Sequence, residues 1–136
     1  MNRFVGGKGP CFQKGNIYDG WDIAGSTYGS FNLRSASFGN AIDHSSAILL
    51  DSDTWVHITI TYDSDGGIAN LRIYKNGVVA THFTETGGLG TNNNDLLIGS
   101  AVDGSWYSNG FKDEIRIYDT ALTEQEVMAL YLNPGQ

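Results

Sequence analysis

The chain has 136 residues, 15 acidic against 8 basic side chains, a net charge of −7 and a single cysteine. That length suits one domain spanning residues 1–136, and the acidity disfavours nucleic acid, whose phosphates are bound mainly through Lys and Arg. Cys11 alone makes no internal disulfide, and no apolar run approaches the roughly 20 residues needed to insert through a bilayer.

The segment from Met1 to Gly7 lacks the charged start and apolar stretch of a secretion signal. The expected compartment is therefore cytoplasmic for the chain as it stands, or extracellular if it is part of a longer secreted one. Apolar residues then alternate, which is the period-2 pattern of half-buried strands, and predict strands at Ile17–Ala24 and Tyr28–Ser37. From Trp55 to Tyr62 the alternation puts Val56, Ile58, Ile60 and Tyr62 on one face and Trp55, His57, Thr59 and Thr61 on the other, with Trp55 taken as a packing residue. Ile68–Lys75 follows a Gly-rich turn. Asn76-Gly77 is the pair that most readily takes positive φ twice, so Val78–Thr84 is expected to fold back antiparallel on Leu71–Lys75.

Further strands are predicted at Leu96–Ser100, an apolar run with both faces covered, and at Gly110–Tyr118. In the latter, Asp113 shares a face with Phe111, Ile115 and Ile117. Thr123-Glu124-Gln125-Glu126 has the spacing of a capping box and opens a helix that Asn133-Pro134 ends. Val127, Leu130 and Tyr131 give that helix a narrow apolar stripe, so it needs docking on the edge or end of a sheet to persist.

Taken in order, Trp55 to Asp63, Leu71 to Gly77, Leu97-Ile98-Gly99, Phe111 to Tyr118 and Ala121 to Tyr131 resemble the laminin G-like domains of the concanavalin A-like lectin/glucanase superfamily. The resemblance implies an all-β, two-sheet antiparallel jelly-roll sandwich with one short C-terminal helix. It also implies that the family's opening strands lie ahead of this chain's start. A sheet edge left uncovered near Phe111–Tyr118 would then pair with another chain, so self-association into a homo-oligomer is expected.

Some relatives with this fold are glucanases, which align carboxylates on one strand. The two Asp-x-Asp pairs here, Asp51/Asp53 and Asp63/Asp65, fall in turns. Gly25 to Gly29 resembles a nucleophile elbow but precedes a strand rather than a helix, and His44, His57 and His82 lack zinc-ligand spacing. His57 is read as a strand residue satisfied by a neighbour. A non-catalytic recognition module is expected, with a glycan or a cell-surface protein as partner.

Sugar sites combine an aromatic ring with amides and carboxylates. Trp106 and Tyr107 with Asp103, Asn92 and Asn93 form the first candidate set, and Trp21 a second. The alternative for Trp106 and Tyr107 is a lid over the core. Across a strand of ordinary length, about 17–20 Å, the loop at Asn92–Asp95 and the loop around Trp106 need not meet. Calcium is the one cofactor that these oxygen-rich loops suit, through Asn92, Asn93, Asn94 and Asp95 and through Asp103, with Asp113 a separate candidate on its strand. The alternative for Asp113 is a buried carboxylate satisfied by backbone N–H groups of an adjacent loop.

Overall fold

The computed structural model of the chain describes residues 9–15, 20–25, 31–35, 54–89, 92–104, 107–108 and 110–135. Its contacts divide into two compact units, each carrying one antiparallel sheet. Two antiparallel sheets and one short helix are the architecture expected of the jelly roll.

The first unit comprises Met1–Arg3, Thr54–Glu85 and Phe111–Gln136, and the second Phe4–Asp53 and Thr86–Gly110. In the second unit, strands β1 (Gly9–Lys14), β2 (Trp21–Gly25) and β3 (Phe31–Ser35) precede, in chain order, the strands β4 to β6 of the other unit. Its sheet is completed by β7 (Leu96–Ile98), in the order β3-β2-β1-β7. β1 has no counterpart among the predicted strands. Pro10 and the bulge between Pro10 and Phe12 break the alternation that would have revealed it. β2 and β3 fall within the predicted Ile17–Ala24 and Tyr28–Ser37 apart from Gly25, which extends β2 by one residue.

The first unit holds β4 (Ile58–Tyr62), β5 (Leu71–Lys75) and β6 (Val78–Phe83), with β5 in the middle, and the helix α1 (Glu124–Leu132). Leu71, Ile73 and Tyr74 are fully buried: β5 is paired along both edges, and side chains from both of its faces are covered. β5 starts later than Ile68. Ala69 takes a φ of 57°, which turns the chain and leaves Ile68 86% exposed. Asn70 holds that turn. Its buried amide donates to the carbonyls of Asp63 and Glu85 at 2.9 Å each and accepts from the Glu85 N–H at 2.8 Å, so a polar side chain sits in the interior with its bonds made.

At the other end of β5, Asn76 and Gly77 take φ of 53° and 81°, as the hairpin prediction requires. The Asn76 Oδ1 accepts from the His57 N–H at 2.9 Å and the Asn76 N–H donates to the His57 carbonyl at 2.8 Å, which pins the turn to the start of β4. The capping box is present as predicted. The Thr123 hydroxyl accepts from the Glu126 N–H at 3.3 Å, and the Glu126 carboxylate accepts from the Thr123 N–H at 2.8 Å. That backbone bond, and the Thr123 hydroxyl donating to the same carboxylate at 2.8 Å, hold the Glu126 carboxyl below its ordinary pKa. Val127 is fully buried, and α1 packs on β6 and over the hairpin turn.

Several expectations are corrected. Gly110–Tyr118 is not a regular strand: only Lys112 has a ladder partner, and Glu114 takes a φ of 54°, which interrupts the extended run. Asp113 is accordingly exposed, not buried, and its Oδ1 accepts from the N–H of its own neighbour Glu114 at 2.9 Å. Trp55 is 43% exposed rather than packed, because regular pairing in β4 starts three residues later. β7 spans three residues and exposes Ile98 by 51%, so that run is not covered on both faces.

An added Cβ on Gly77 would stand 2.9 Å from the Met128 Sδ and 3.2 Å from Tyr131, at a backbone conformation unfavourable to L side chains. Gly77→Ala is expected to destabilise the protein by about 1–2 kcal/mol in urea unfolding from the left-handed backbone alone. It is also expected to raise hydrogen exchange across α1 before global unfolding.

Candidate functional site

The candidate loops of the second unit are organised by two successive residues of β1. Gln13 is buried, and its side-chain Oε1 accepts from the Val102 N–H at 3.0 Å. Lys14, next along the strand, turns the other way. Its Nζ donates to the Asn94 carbonyl at 2.7 Å, and its own carbonyl accepts from the Asn92 amide at 3.4 Å. Alternation of side chains thus lets adjacent positions anchor two different loops. Gly20 sits against this point: a Cβ there would lie 1.8 Å from the Lys14 carbonyl oxygen, so only glycine admits that approach of backbone to backbone.

The loop held by Gln13 runs from Gly99 to Ser108. Gly104 N–H donates to the Ala101 carbonyl at 3.0 Å, Ser108 N–H to the Gly99 carbonyl at 2.9 Å, and Ser100 pairs antiparallel with Tyr107. Asp103 lies exposed at its turn, and Tyr107 is 66% exposed. The lid alternative is therefore not the one Tyr107 adopts. The Tyr107 hydroxyl stands 3.7 Å from where a Gly104 Cβ would be, which places the phenol over the turn that carries Asp103. Trp106 lies outside the described residues.

The loop held by Lys14 presents Asn93, Asn94 and Asp95 to solvent, while half-buried Asn92 closes a tight turn by accepting from the Asn94 N–H at 2.9 Å. Trp21 is half-buried and stands directly opposite Lys14 in the β1–β2 register. Trp21 and Asn92–Asp95 are therefore brought to the same end of β1. The two loops flank β7, which at three residues separates them by about 10 Å rather than the span of an ordinary strand.

A resident calcium ion does not fit this arrangement. In the Asn92–Asp95 loop the Asn94 carbonyl already accepts from the Lys14 ammonium, which repels a cation, and the Asp113 carboxylate takes the Glu114 N–H. Among the described residues, no three His, Cys, Asp or Glu side chains group as a metal site. The Gln13 and Lys14 anchors escape a sequence reading because they lie on the unpredicted β1.

A family model of laminin G type matches residues 3–128 under the description "Concanavalin A-like lectin/glucanases superfamily". The chain belongs to that superfamily. The human adhesion G-protein coupled receptor D1 is 36% identical over 81 residues, 57% of this chain but 9% of the receptor. Among solved structures, a crystal structure of an S-layer domain-containing protein from Clostridium thermocellum ATCC 27405 aligns at 18% identity and a TM-score of 0.43, covering 93% of this chain and 64% of that one. The chain thus spans less than two thirds of either. Membership of a lectin and glucanase superfamily accords with a non-catalytic binding module in general, while its ligand depends on the loops rather than the scaffold.

Gln13→Leu removes the acceptor of the Val102 N–H and leaves a part-buried donor unpaired, worth about 1–3 kcal/mol. Hydrogen exchange is expected to speed up by at least about tenfold at residues 101–104 and to stay unchanged at 92–95. Lys14→Met is expected to give the reverse pattern.

Proposed function

We propose that residues 1–136 act as one laminin G-like recognition domain, displayed outside the cell, whose ligand is carbohydrate. The observation that carries this reading is the exposed Tyr107 ring standing over the Asp103 turn, next to a second loop rich in exposed amides. A pyranose offers an apolar face to an aromatic ring and hydroxyls to amide and carboxylate groups at its rim. Asp103, Asn93, Asn94 and Asp95 supply that second chemistry, and Trp21 stands opposite Lys14, the residue that holds the Asn92 loop. Trp106, adjacent in sequence to Tyr107, is proposed as a second stacking ring. The extracellular setting is supported by the human relative, which by name is an adhesion receptor.

A protein-binding reading has its own observation. Phe111, Ile115, Ile117 and Tyr118 of the first unit are all substantially exposed, and grouped apolar exposure marks surfaces that other chains cover. On that reading the domain self-associates through this segment.

Binding on an array of immobilised glycans is expected for the wild type and is expected to fall at least about tenfold in Tyr107→Ala and Trp106→Ala, with melting midpoints unchanged, since a stacked ring contributes roughly 0.5–1.5 kcal/mol beyond its buried area. A wild type that binds no glycan rejects the carbohydrate reading. Sedimentation velocity tests the other: a concentration-dependent dimer that Ile117→Asp returns to monomer supports self-association, and a strict monomer at high concentration rejects it.

A further inference from the structure

His57 stands at the junction of three elements of the first unit. Its backbone is clamped on both sides by Asn76 of the hairpin turn, at 2.9 and 2.8 Å. Its ring packs on Tyr131 of α1, with centroids 5.9 Å apart and planes tilted by 43°. The Nδ1 atom is buried and has no hydrogen-bond partner, contrary to the satisfied neighbour expected for this histidine. The same holds for the hydroxyl of fully buried Tyr74. Register explains why both orphans occur together. Tyr74 is opposite Thr59, two residues from His57, so both point to one face of the sheet. Arg72 alternates onto that face as well, and its guanidinium reaches Glu124 of α1 at 3.5 Å, so this is the face that the helix covers. The helix therefore rests on a surface with two unsatisfied polar atoms, a weak seat for an element of nine residues that does not persist undocked.

We propose that His57 is a pH-sensitive latch for helix α1: a proton on its imidazole ring loosens the seat and releases the helix from the β5–β6 hairpin. A protonated ring carries two N–H donors, and the one on Nδ1 has no acceptor where it is buried. The groups that face the ring do not offset the charge. The hairpin presents the Asn76 amide, already bonded to the His57 N–H, and α1 presents the Tyr131 ring. The segment 110–118 contributes Arg116, a like charge whose guanidinium is paired with Glu114 at 2.7 Å. Burial first, then the positive charges of the amino terminus and Arg116, hold the ring below its ordinary pKa of 6.5.

The sign follows from linkage. An undocked ring accepts its proton near pH 6.5 and the docked ring only at lower pH, so acidification favours the undocked state. Docking is fully stable above about pH 6.5, weakens as pH falls from there to the lowered value, and levels off below it. The capping box does not titrate in that window, because the Thr123 N–H and hydroxyl keep the Glu126 carboxyl ionised. The Arg72–Glu124 pair is exposed at both ends and adds little.

The test is an NMR titration of the full chain from pH 8 to 4.5, following the ring protons of His57 and hydrogen exchange at residues 127–132. The expected result is a His57 midpoint below 6.5, with helix protection falling through the same window by about tenfold for each unit of that depression. In His57→Phe, which keeps a ring against Tyr131 and cannot titrate, protection is expected to be flat in pH. A His57 midpoint at or above 6.5, helix protection indifferent to pH in the wild type, or the same pH dependence in His57→Phe each overturns the proposal. The wild-type midpoint decides even if the variant fails to fold.

Discussion

The closeness of α1 to the hairpin turn at Gly77 is the constraint on which the first unit rests. With no Cβ at that position, Met128 and Tyr131 come down onto the turn, and the same turn holds the start of β4 through both hydrogen bonds of Asn76. A side chain at position 77 would lift the helix and strain the backbone that aligns β5 with β6. Strand pairing, helix docking and the burial of Tyr74 and Val127 are thus consequences of one small gap in the turn. The buried Asn70 does comparable work at the opposite end of β5, but with hydrogen bonds rather than with space.

The second unit is built on a different principle. Its anchors are polar and lie on the inner strand β1, where Gln13 and Lys14 face opposite ways and each fixes one loop. Buried Gln13 stands opposite buried Asp22 in the register, while half-buried Phe12, Trp21 and Ile23 lie on the other face. A polar row on the more buried side gains little from desolvation, and Gln13 is kept there by the bond it makes to a loop N–H. The exposed chemistry of Asp103, Tyr107 and Asn93–Asp95 is therefore positioned by a buried glutamine and a half-buried lysine on adjacent positions of one strand.

What could be read from the residues follows the same division. The Asn76-Gly77 turn, the two strands it joins and the capping box at Thr123 are local, each specified by neighbours within a few positions, and each is present in the structure. The family signature was legible because it strings together such local pieces. β1 was not, since Pro10 and a bulge hide its period and its partners are distant in sequence. Gly110–Tyr118 misled for the opposite reason: it alternates like a strand, yet Glu114 turns the chain and Phe111 and Ile117 remain exposed. Of the candidate site, residue types were visible and their anchors were not, because Gln13 and Lys14 act on loops encoded about eighty to ninety residues later. Likewise nothing in the sequence around His57 announces a buried nitrogen without a partner; that depends on where α1 lands.

The placement of β1 also sets an order of events in folding. Asn70 and Glu85 are 15 residues apart, so the three strands of the first unit close over short loops, at rates set by local chain motion. Gln13 and Val102 are 89 residues apart, and β1 cannot gain its second neighbour until Leu96–Ile98 exists and finds it. During synthesis one edge of β1 therefore waits, open, for most of the chain to emerge. The residues that wait include Pro10, which cannot donate to a foreign ladder, and Lys14, whose charge opposes stacking of like chains. Pro10, which helps to hide this strand from a periodicity reading, thus also protects it while it is unpaired.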